Sequence, residues 1–302
     1  MTVSELDFGP DFDGFVLENE PMSRHTTYRI GGPARYFAQV DSISSLTSFI
    51  RFCREQNISW VPLGKGCNLL VSDDGFNGAV ITLGPSFSQC SYDRETGIIT
   101  AGASARFASV VQEAFRHGRA GYEFAVGTPG TMGGALRMNA GSRREGIGQR
   151  VLSVTTYNPE RGLTHYLADD IVWGYRTCSI PLDEIIVECE LSTLEGDEGM
   201  TQAKMEAALS RRRRTQPLGY PSCGSVFKNP GHASVGQMIE DAGLKGCSCG
   251  GAQVSELHAN FIVNTGDATA ADVLALIHHV QDTVHDLYGV TLTTEVKFLG
   301  FE

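Results

Sequence analysis

Residues 127–141 read GTPGTMGGALRMNAG, and the rest of the chain is organised around them. Fifteen residues holding five glycines and a Pro-Gly step have too little side chain to pack a core of their own. Such a segment serves to let backbone come close to something else. A solvated loop would be rich in Ser, Asp, Asn and Lys. Here Thr128, Thr131, Ala135, Leu136 and Met138 form a semi-apolar mixture that suits the wall of a pocket. Composition alone leaves a second possibility, a buried glycine-rich turn that meets no ligand.

Immediately upstream, residues 98–103 read as a strand and 105–117 as a helix, with Phe107, Val110, Val111, Ala114 and Phe115 inward and Gly118 just past its end. Downstream come strands at 152–157, 163–167 and 184–194, with WGYRTCS at 173–179 between the last two. Towards the N-terminus, residues 1–21 are polar and expected to wrap the surface. Residues 24–30 read as a strand-like segment ending in the Gly31-Gly32-Pro33 turn, followed by a strand at 34–40. Ile43, Leu46, Phe49, Ile50 and Cys53 recur at helical spacing. A strand at 60–63 runs into GKGCNLL, and another follows at 79–83. A strand ending in GKGCN resembles a phosphate cradle, because consecutive N–H groups released from a ladder can converge on anionic oxygens. It has neither the Walker A nor the GxGxxG spacing, and a plain strand-turn fits as well.

The composition shift LEGDEG at 194–199 marks a candidate boundary. Beyond it the spacing predicts a helix over 200–216 that ends in four arginines, 211–214, which read either as a solvated face or as a contact for an anionic ligand. Then come SCGSVFKNP at 222–230, a short helix opened by Ser234 and closed by Gly243, and a strand at 259–264. A long helix over 269–288 places Val273, Ile277, Val280, Val284 and Leu287 on its apolar face and His278, His279 and His285 on its polar side. Strict alternation over 290–299 puts Leu292, Val296 and Phe298 on one face and Thr291, Thr293, Glu295 and Lys297 on the other.

At 302 residues the chain is too long for one comfortable core, so two or three domains are expected. A formal charge of −11 argues against nucleic-acid binding, which relies on Lys and Arg neutralising phosphates. No stretch approaches the roughly 20 apolar residues of a spanning helix, and the acidic N-terminus has no signal-peptide core, so no membrane partner is expected and the cytoplasm is the default address. The eight scattered cysteines suit reduced thiols, and Cys247, Cys249 and His258 fit no common zinc spacing, so no metal is expected.

Taken together, TTYRIGG, PLGKGCNLLVSDDGF, GTPGTMGGALRMNAG, GYRTCS, QPLGYPSCGSVFKNP, AGLKG, HANFIVN and a terminal strand with a central Glu occur in one order. This series resembles the UDP-N-acetylenolpyruvoylglucosamine reductases, flavoenzymes that complete UDP-N-acetylmuramic acid in peptidoglycan precursor synthesis, across roughly residues 22–300. The resemblance implies an α+β fold. After an N-terminal extension, 1–21, comes an FAD-binding module of the vanillyl-alcohol-oxidase (PCMH) type over 22–198. A family-specific C-terminal α+β domain, 199–302, closes over the substrate and its last strand returns to deliver Glu295. It also implies that NADPH reduces the flavin, leaves, and is replaced by the enolpyruvyl sugar nucleotide.

Carried over by motif, the FAD pyrophosphate meets backbone at Gly64, Lys65, Gly66, Cys67 and Asn68, with Leu69, Tyr28 and Gly31 also on the cofactor. The ribityl chain and ring lie along Gly127, Thr128, Pro129, Gly130, Thr131, Gly133 and Gly134. Cys67 stands where the family more often has Ser or Thr, which puts in question a side-chain phosphate contact there but not backbone contacts. Relatives that hold flavin covalently use a His or Cys near the glycine loops; none lies within 127–141, so the FAD is expected to be non-covalent. Only 49 positions separate Arg176 from Ser225, which matches the shorter form of the family, lacking a tyrosine-bearing insertion.

The chemistry adds hydride to the terminal carbon of an enol ether conjugated to a carboxylate, steadies the developing charge, and protonates the neighbouring carbon. By resemblance Arg176 offers the carboxylate a bidentate fork and Ser225 gives the proton, with Lys228 or an ordered water assisting. Glu295 helps only if hydrogen-bonded or protonated, since a bare carboxylate would repel the charge. Tyr175, Gly224 and Asn229 are implied substrate contacts, and Arg213 or Arg214 meets the nucleotide phosphates. The competing readings are another flavin oxidase of this fold acting on an alcohol or sugar lactone, and a nucleotide-binding protein that has lost catalysis. Oligomeric state is left open, with a monomer the working expectation.

Overall fold

Apolar residues spaced three and four apart close into helices where that spacing predicts them. Leu46, Phe49, Ile50 and Cys53 bury one face of the helix Ile43–Glu55, whose Ser42 cap accepts from the Ser45 N–H. Phe107, Val110, Val111 and Ala114 do the same for Phe107–Arg116, Phe115 is only partly covered, and Gly118 follows at φ +64°. Thr269 and Asp272 form a reciprocal capping box at the start of Ala270–Tyr288. That helix buries Leu276 with Val273, Ile277, Val280 and Val284; Leu287, expected on the same face, is exposed.

The structure, a computed structural model, describes residues 2–3, 6, 8–231 and 233–301; Met1, Ser4, Glu5 and Asp7 of the expected surface segment lie outside the described residues. The chain divides into two units, one of residues 1–18, 36–65 and 78–211, the other of 19–35, 66–77 and 212–302. This differs from a cut at 198/199, because Met205, Ala208 and Leu209 of the helix Glu198–Thr215 pack on the first unit's core.

The first unit contains a sheet ordered Thr2–Val3, Gly14–Pro21, Pro33–Val40, Phe76–Leu83, Trp60–Pro62, and a second ordered Gly162–Leu167, Val151–Asn158, Ile185–Ser192, Ile98–Gly102, Cys90–Tyr92. One core lies between the first sheet and Ile43–Glu55 and includes Tyr157, Ile185 and Val187 from the second. Another gathers the second sheet with Phe107–Arg116 and Met132–Arg137. Residues 14–21 are thus a strand with Val16 and Leu17 buried, not a surface wrap, and Phe8 stacks on Phe12 with ring centres 4.7 Å apart.

The second unit surrounds Ala270–Tyr288 with a three-stranded antiparallel sheet, Ser248–Cys249, Ala252–Val254 and Ile262–Asn264, the short helix Val235–Asp241, and a parallel pair of Leu69–Val71 with Lys297–Leu299. Residues 24–30 are not a strand: a single 3-10 turn at Met22–Arg24 leads into a turn in which the Thr26 hydroxyl donates to the Ile30 carbonyl and Arg29 sits at φ +57°.

The alternation over 290–299 also breaks. Leu292 and Val296 are buried as expected, but Glu295 is buried too, while Phe298 is exposed and Leu299 covered. The N–H groups of Glu295 and Val296 both point to one acceptor, the Val226 carbonyl, at 2.7 and 3.4 Å. Two residues opposing one is the geometry of a bulge, and it exchanges the faces beyond it. The regular strand is confined to Lys297–Leu299.

Candidate active site

The glycine-rich segment is not a loop throughout: Met132–Arg137 is a short helix whose Thr131 cap accepts from the Gly134 N–H at 3.4 Å. Met132, Ala135 and Leu136 go into the core, so of the expected pocket-wall residues Ala135 and Leu136 are structural. What faces outward is backbone, with Gly127, Pro129 and Gly134 exposed. Three hydrogen bonds lay the segment against residues 103–107: Phe107 N–H to Gly130 O at 3.0 Å, Met132 N–H to Ala105 O at 2.9 Å, and Gly133 N–H to Ala103 O at 2.9 Å. Gly133 suits this approach, since a Cβ there would lie 3.1 Å from the Ala103 Cβ, closer than ordinary packing. Gly130 differs. Its φ is +126° and a Cβ would meet nothing within 4 Å, so the space beside it is open. A Cβ on Gly64 would overlap the Thr131 hydroxyl, so these two expected cofactor segments touch within the first unit.

Tyr175 and Arg176 are the two residues of a tight hairpin between Trp173–Gly174 and Thr177–Cys178, in which Gly174 pairs with Thr177. Arg176 has φ +60°, a conformation that two-residue turns usually give to Gly or Asn and that costs an ordinary side chain about 1–2 kcal/mol. Its Nη1 donates to the Gly141 carbonyl at 2.7 Å, and its guanidinium carbon lies 5.2 Å from the centre of the Tyr175 ring. Asn139 completes the link by donating from Nδ2 to Gly174 O at 2.9 Å and accepting from the Gly148 N–H at 3.0 Å. The end of the glycine segment thus holds the hairpin that carries Arg176. Asn139 had no role in the sequence reading, although Asn is the side chain that best tolerates its φ of +40°.

In the second unit, Gly66 at φ +61° lies so close to His25 O that a Cβ would overlap it, and its carbonyl accepts from the Thr27 N–H at 3.1 Å. The Thr27 hydroxyl donates to Ser222 O at 2.7 Å, tying the segment that leads to Ser225 to the same turn. Asn260, buried, fixes the next two residues: its carbonyl accepts from Val226 N–H at 2.9 Å, its Oδ1 from Phe227 N–H at 3.0 Å, and its Nδ2 donates to Phe227 O at 2.9 Å. On the other side Lys228 N–H donates to Thr293 O at 2.9 Å. Ser225, half-buried, is therefore held beside the Glu295 segment, and Asn68 Nδ2 donates to Glu295 O at 3.0 Å. Asn229 Oδ1 caps Val235 N–H at 2.9 Å. HANFIVN marked this stretch without revealing what Asn260 does; a lone Asn in an apolar run is the signal.

The remaining expected residues are dispersed. The Tyr28 side chain is fully buried in the second core and reaches no surface; it lies against Cys223, whose thiol is pushed up to about 12, chiefly by burial. Burial likewise raises the Tyr28 phenol well above its ordinary value. Gly31 at φ +131° is a packing residue, its absent Cβ leaving room for Val71. Gly64 and Lys65 are exposed, and Cys67, Asn68 and Leu69 are half-buried. Gly224 takes φ +80°. Arg213 and Arg214 are exposed, and Arg213 lines a cavity of about 420 Å³ with Tyr220, Gln253 and Ser255. Arg212 is the partly buried member of that run, and burial lowers its pKa. Among the described residues no three His, Cys, Asp or Glu side chains gather in a way that could hold a metal ion, no disulfide joins the cysteines, and no helix is long and apolar enough to cross a membrane.

Two family models match the chain: an FAD binding domain over residues 34–166, and the C-terminal domain of UDP-N-acetylenolpyruvoylglucosamine reductase over 216–299. The chain is 44% identical over 292 residues to the UDP-N-acetylenolpyruvoylglucosamine reductase of Heliobacterium modesticaldum, covering 96% of this chain and 92% of that one. It is 42% identical over 288 residues to the reductase of Halalkalibacterium halodurans, covering 95% of each. The crystal structure of the Thermus caldophilus enzyme superposes with a TM-score of 0.82 at 32% identity, over 95% of this chain and 99% of that one. The chain therefore belongs to the UDP-N-acetylenolpyruvoylglucosamine reductase family.

Proposed function

We propose that this chain reduces the enolpyruvyl group of UDP-N-acetylglucosamine enolpyruvate to give UDP-N-acetylmuramate, using non-covalent FAD and NADPH, in the cytoplasm and as the shorter form of its family. The observation that carries the reading is the family match over nearly the whole chain, together with Arg176, Ser225 and Glu295 at the positions the family's motifs assign.

The residues present fit a flavin. At Gly130 backbone borders open space, and Met132 and Leu136 are locked in the core, so the segment offers a ligand main chain instead of bulky side chains. Gly127, Thr128, Pro129, Gly130, Thr131, Gly133 and Gly134 would hold the ring and ribityl chain, and residues 64–69 the pyrophosphate. As a functional division we take FAD on 22–198 and substrate on 199–302, which the spans of the two family models support. The chemistry a bound FAD supplies is hydride transfer, from the nicotinamide to the terminal carbon of the enol ether.

Arg176 pairs with the substrate carboxylate and steadies the charge that develops towards it. Preorganisation matters here, because a donor already aimed at the developing charge needs no rearrangement during reaction. Its left-handed backbone is the kind of local strain that a functional position retains. Ser225 gives its hydroxyl proton to the carbon beside the carboxylate, with Lys228 steadying the resulting alkoxide. Glu295 acts as a hydrogen-bonded or protonated carboxyl. Tyr175, Gly224 and Asn229 contact the substrate, and Arg213 or Arg214 the nucleotide phosphates. The test is the visible absorption of the purified protein: a flavin spectrum is expected, and a colourless protein that cannot be reconstituted with FAD would contradict the reading.

A further inference from the structure

Residues 142–145, Ser-Arg-Arg-Glu, leave the glycine segment at Gly141 and return at Gly146, where the two glycines form an isolated bridge. The excursion is braced from within. Ser142 Oγ accepts from the N–H groups of Arg144 at 3.2 Å and Glu145 at 3.1 Å, and Ser142 N–H donates to Glu145 O at 2.7 Å. Gly141, at φ +154°, cannot take a side chain, because a Cβ would overlap Glu145 O. Two arginines therefore stand on a built turn.

Beside that turn lies a cleft of about 330 Å³ whose lining includes Asn139, Arg143, Arg144, Gln149, Trp173 and Tyr175. The Arg143 guanidinium carbon is 5.1 Å from the centre of the Tyr175 ring, and that of Arg176 is 5.2 Å from the same centre, so a single ring aligns two cations. Among the described residues no acceptor meets the buried indole N–H of Trp173. Glu145 is the one carboxylate in the lining. Exposed arginine pairs are usually just solvated. What distinguishes Arg143 is the Tyr175 ring it shares with Arg176, and a cleft lined by guanidinium groups complements an oxyanion.

We propose that this cleft binds a phosphate group of the ligand that engages Arg176, with Arg143 the residue that sets the preference. The ligand's identity rests on the reductase reading; the existence of the site does not. Under that reading the group comes either from NADPH or from the sugar nucleotide, which share this oxyanion chemistry.

The test uses the flavin-loaded protein, with inorganic pyrophosphate titrated calorimetrically into the wild type and Arg143→Ala. Arg143 is exposed, so the variant is expected to fold with unchanged flavin content. Its pyrophosphate affinity should fall roughly tenfold or more, as for loss of a charge-assisted hydrogen bond. Equal affinity in the two proteins, or no saturable binding to the wild type, overturns the proposal whatever the chain catalyses. Steady-state kinetics then assign the source. A rise in KM for NADPH alone places the cofactor's phosphate in the cleft, and a rise for the sugar nucleotide alone places the substrate's anion there. Unchanged KM for both overturns the cleft's part in the reaction. A wild type that turns over neither contradicts the reductase reading and leaves the pyrophosphate result standing.

Discussion

The turn that carries Arg176 and the segment that carries Ser225 are held differently: the first by left-handed backbone and glycine contacts with the Asn139 amide as a tie, the second chiefly by the buried Asn260 amide. Around Arg176 the chain folds back on itself in a tight hairpin, and glycines at 141 and 174 permit approaches that a Cβ would block. Around Ser225 the contacts come from far along the sequence: Asn260 satisfies both polar groups of the Phe227 backbone, and Thr293 and Glu295 pair with Lys228 and Val226. The first device is mainly conformational, so it is most sensitive to gain of a side chain. The second is long-range and polar, so it fails when an atom is removed.

The largest effect is expected at the proton donor. Ser225→Ala should leave NADPH-driven bleaching of the flavin nearly normal and slow the subsequent return of colour on adding the sugar nucleotide by roughly 10²–10⁴-fold, the usual cost of losing a general acid. Ser225→Cys should recover part of it. Stopped-flow measurement of both half-reactions decides; small and equal changes in the two would make Ser225 a turn residue.

Next comes the scaffold behind it. Asn260→Ala strands a buried N–H and a buried C=O, which at about 1–3 kcal/mol each should lower stability in urea by about 2–5 kcal/mol. A midpoint within error of the wild type would mean that water or a shifted backbone replaces the amide. Gly130→Val probes the other device. It adds a branched side chain beside open space but at φ +126°, which L residues rarely adopt, so stability and FAD content after dialysis should both fall; full occupancy would show that flavin does not lie there. The smallest shift should come from Arg176→Gly. Glycine relieves the φ of +60° but loses the bond to Gly141 O, and each is worth about 1 kcal/mol, so thermal stability should barely change while turnover collapses. A large loss of stability would mean that Arg176 is there for the fold.

This contrast also explains what could be read from the chain. The glycine segment, the helical faces and the order of elements follow from local spacing, and the motif order pointed to the family from one sequence. The segment 290–299 misled because its alternation is regular in sequence, whereas the double hydrogen bond to Val226 that exchanges its faces is a long-range event. Residues 14–21 looked like surface because Gly, Glu and Asn dilute Val16 and Leu17, which are buried once the strand pairs with Thr2–Val3 and Pro33–Val40. Tyr28 was placed on the cofactor by motif alone, and its side chain lies in a core. Asn139, Arg143 and Asn260 acquire their roles only through partners that spacing does not disclose.

The central claim is that electrons from NADPH end on the enolpyruvyl group. Purified protein, reduced anaerobically with one equivalent of NADPH and then mixed with UDP-N-acetylglucosamine enolpyruvate, should regain the absorbance of oxidised flavin within a turnover time and yield UDP-N-acetylmuramate in equal amount. Colour that returns only when oxygen is admitted, with no product and no effect of the sugar nucleotide, would contradict the account and favour an oxidase of the same fold.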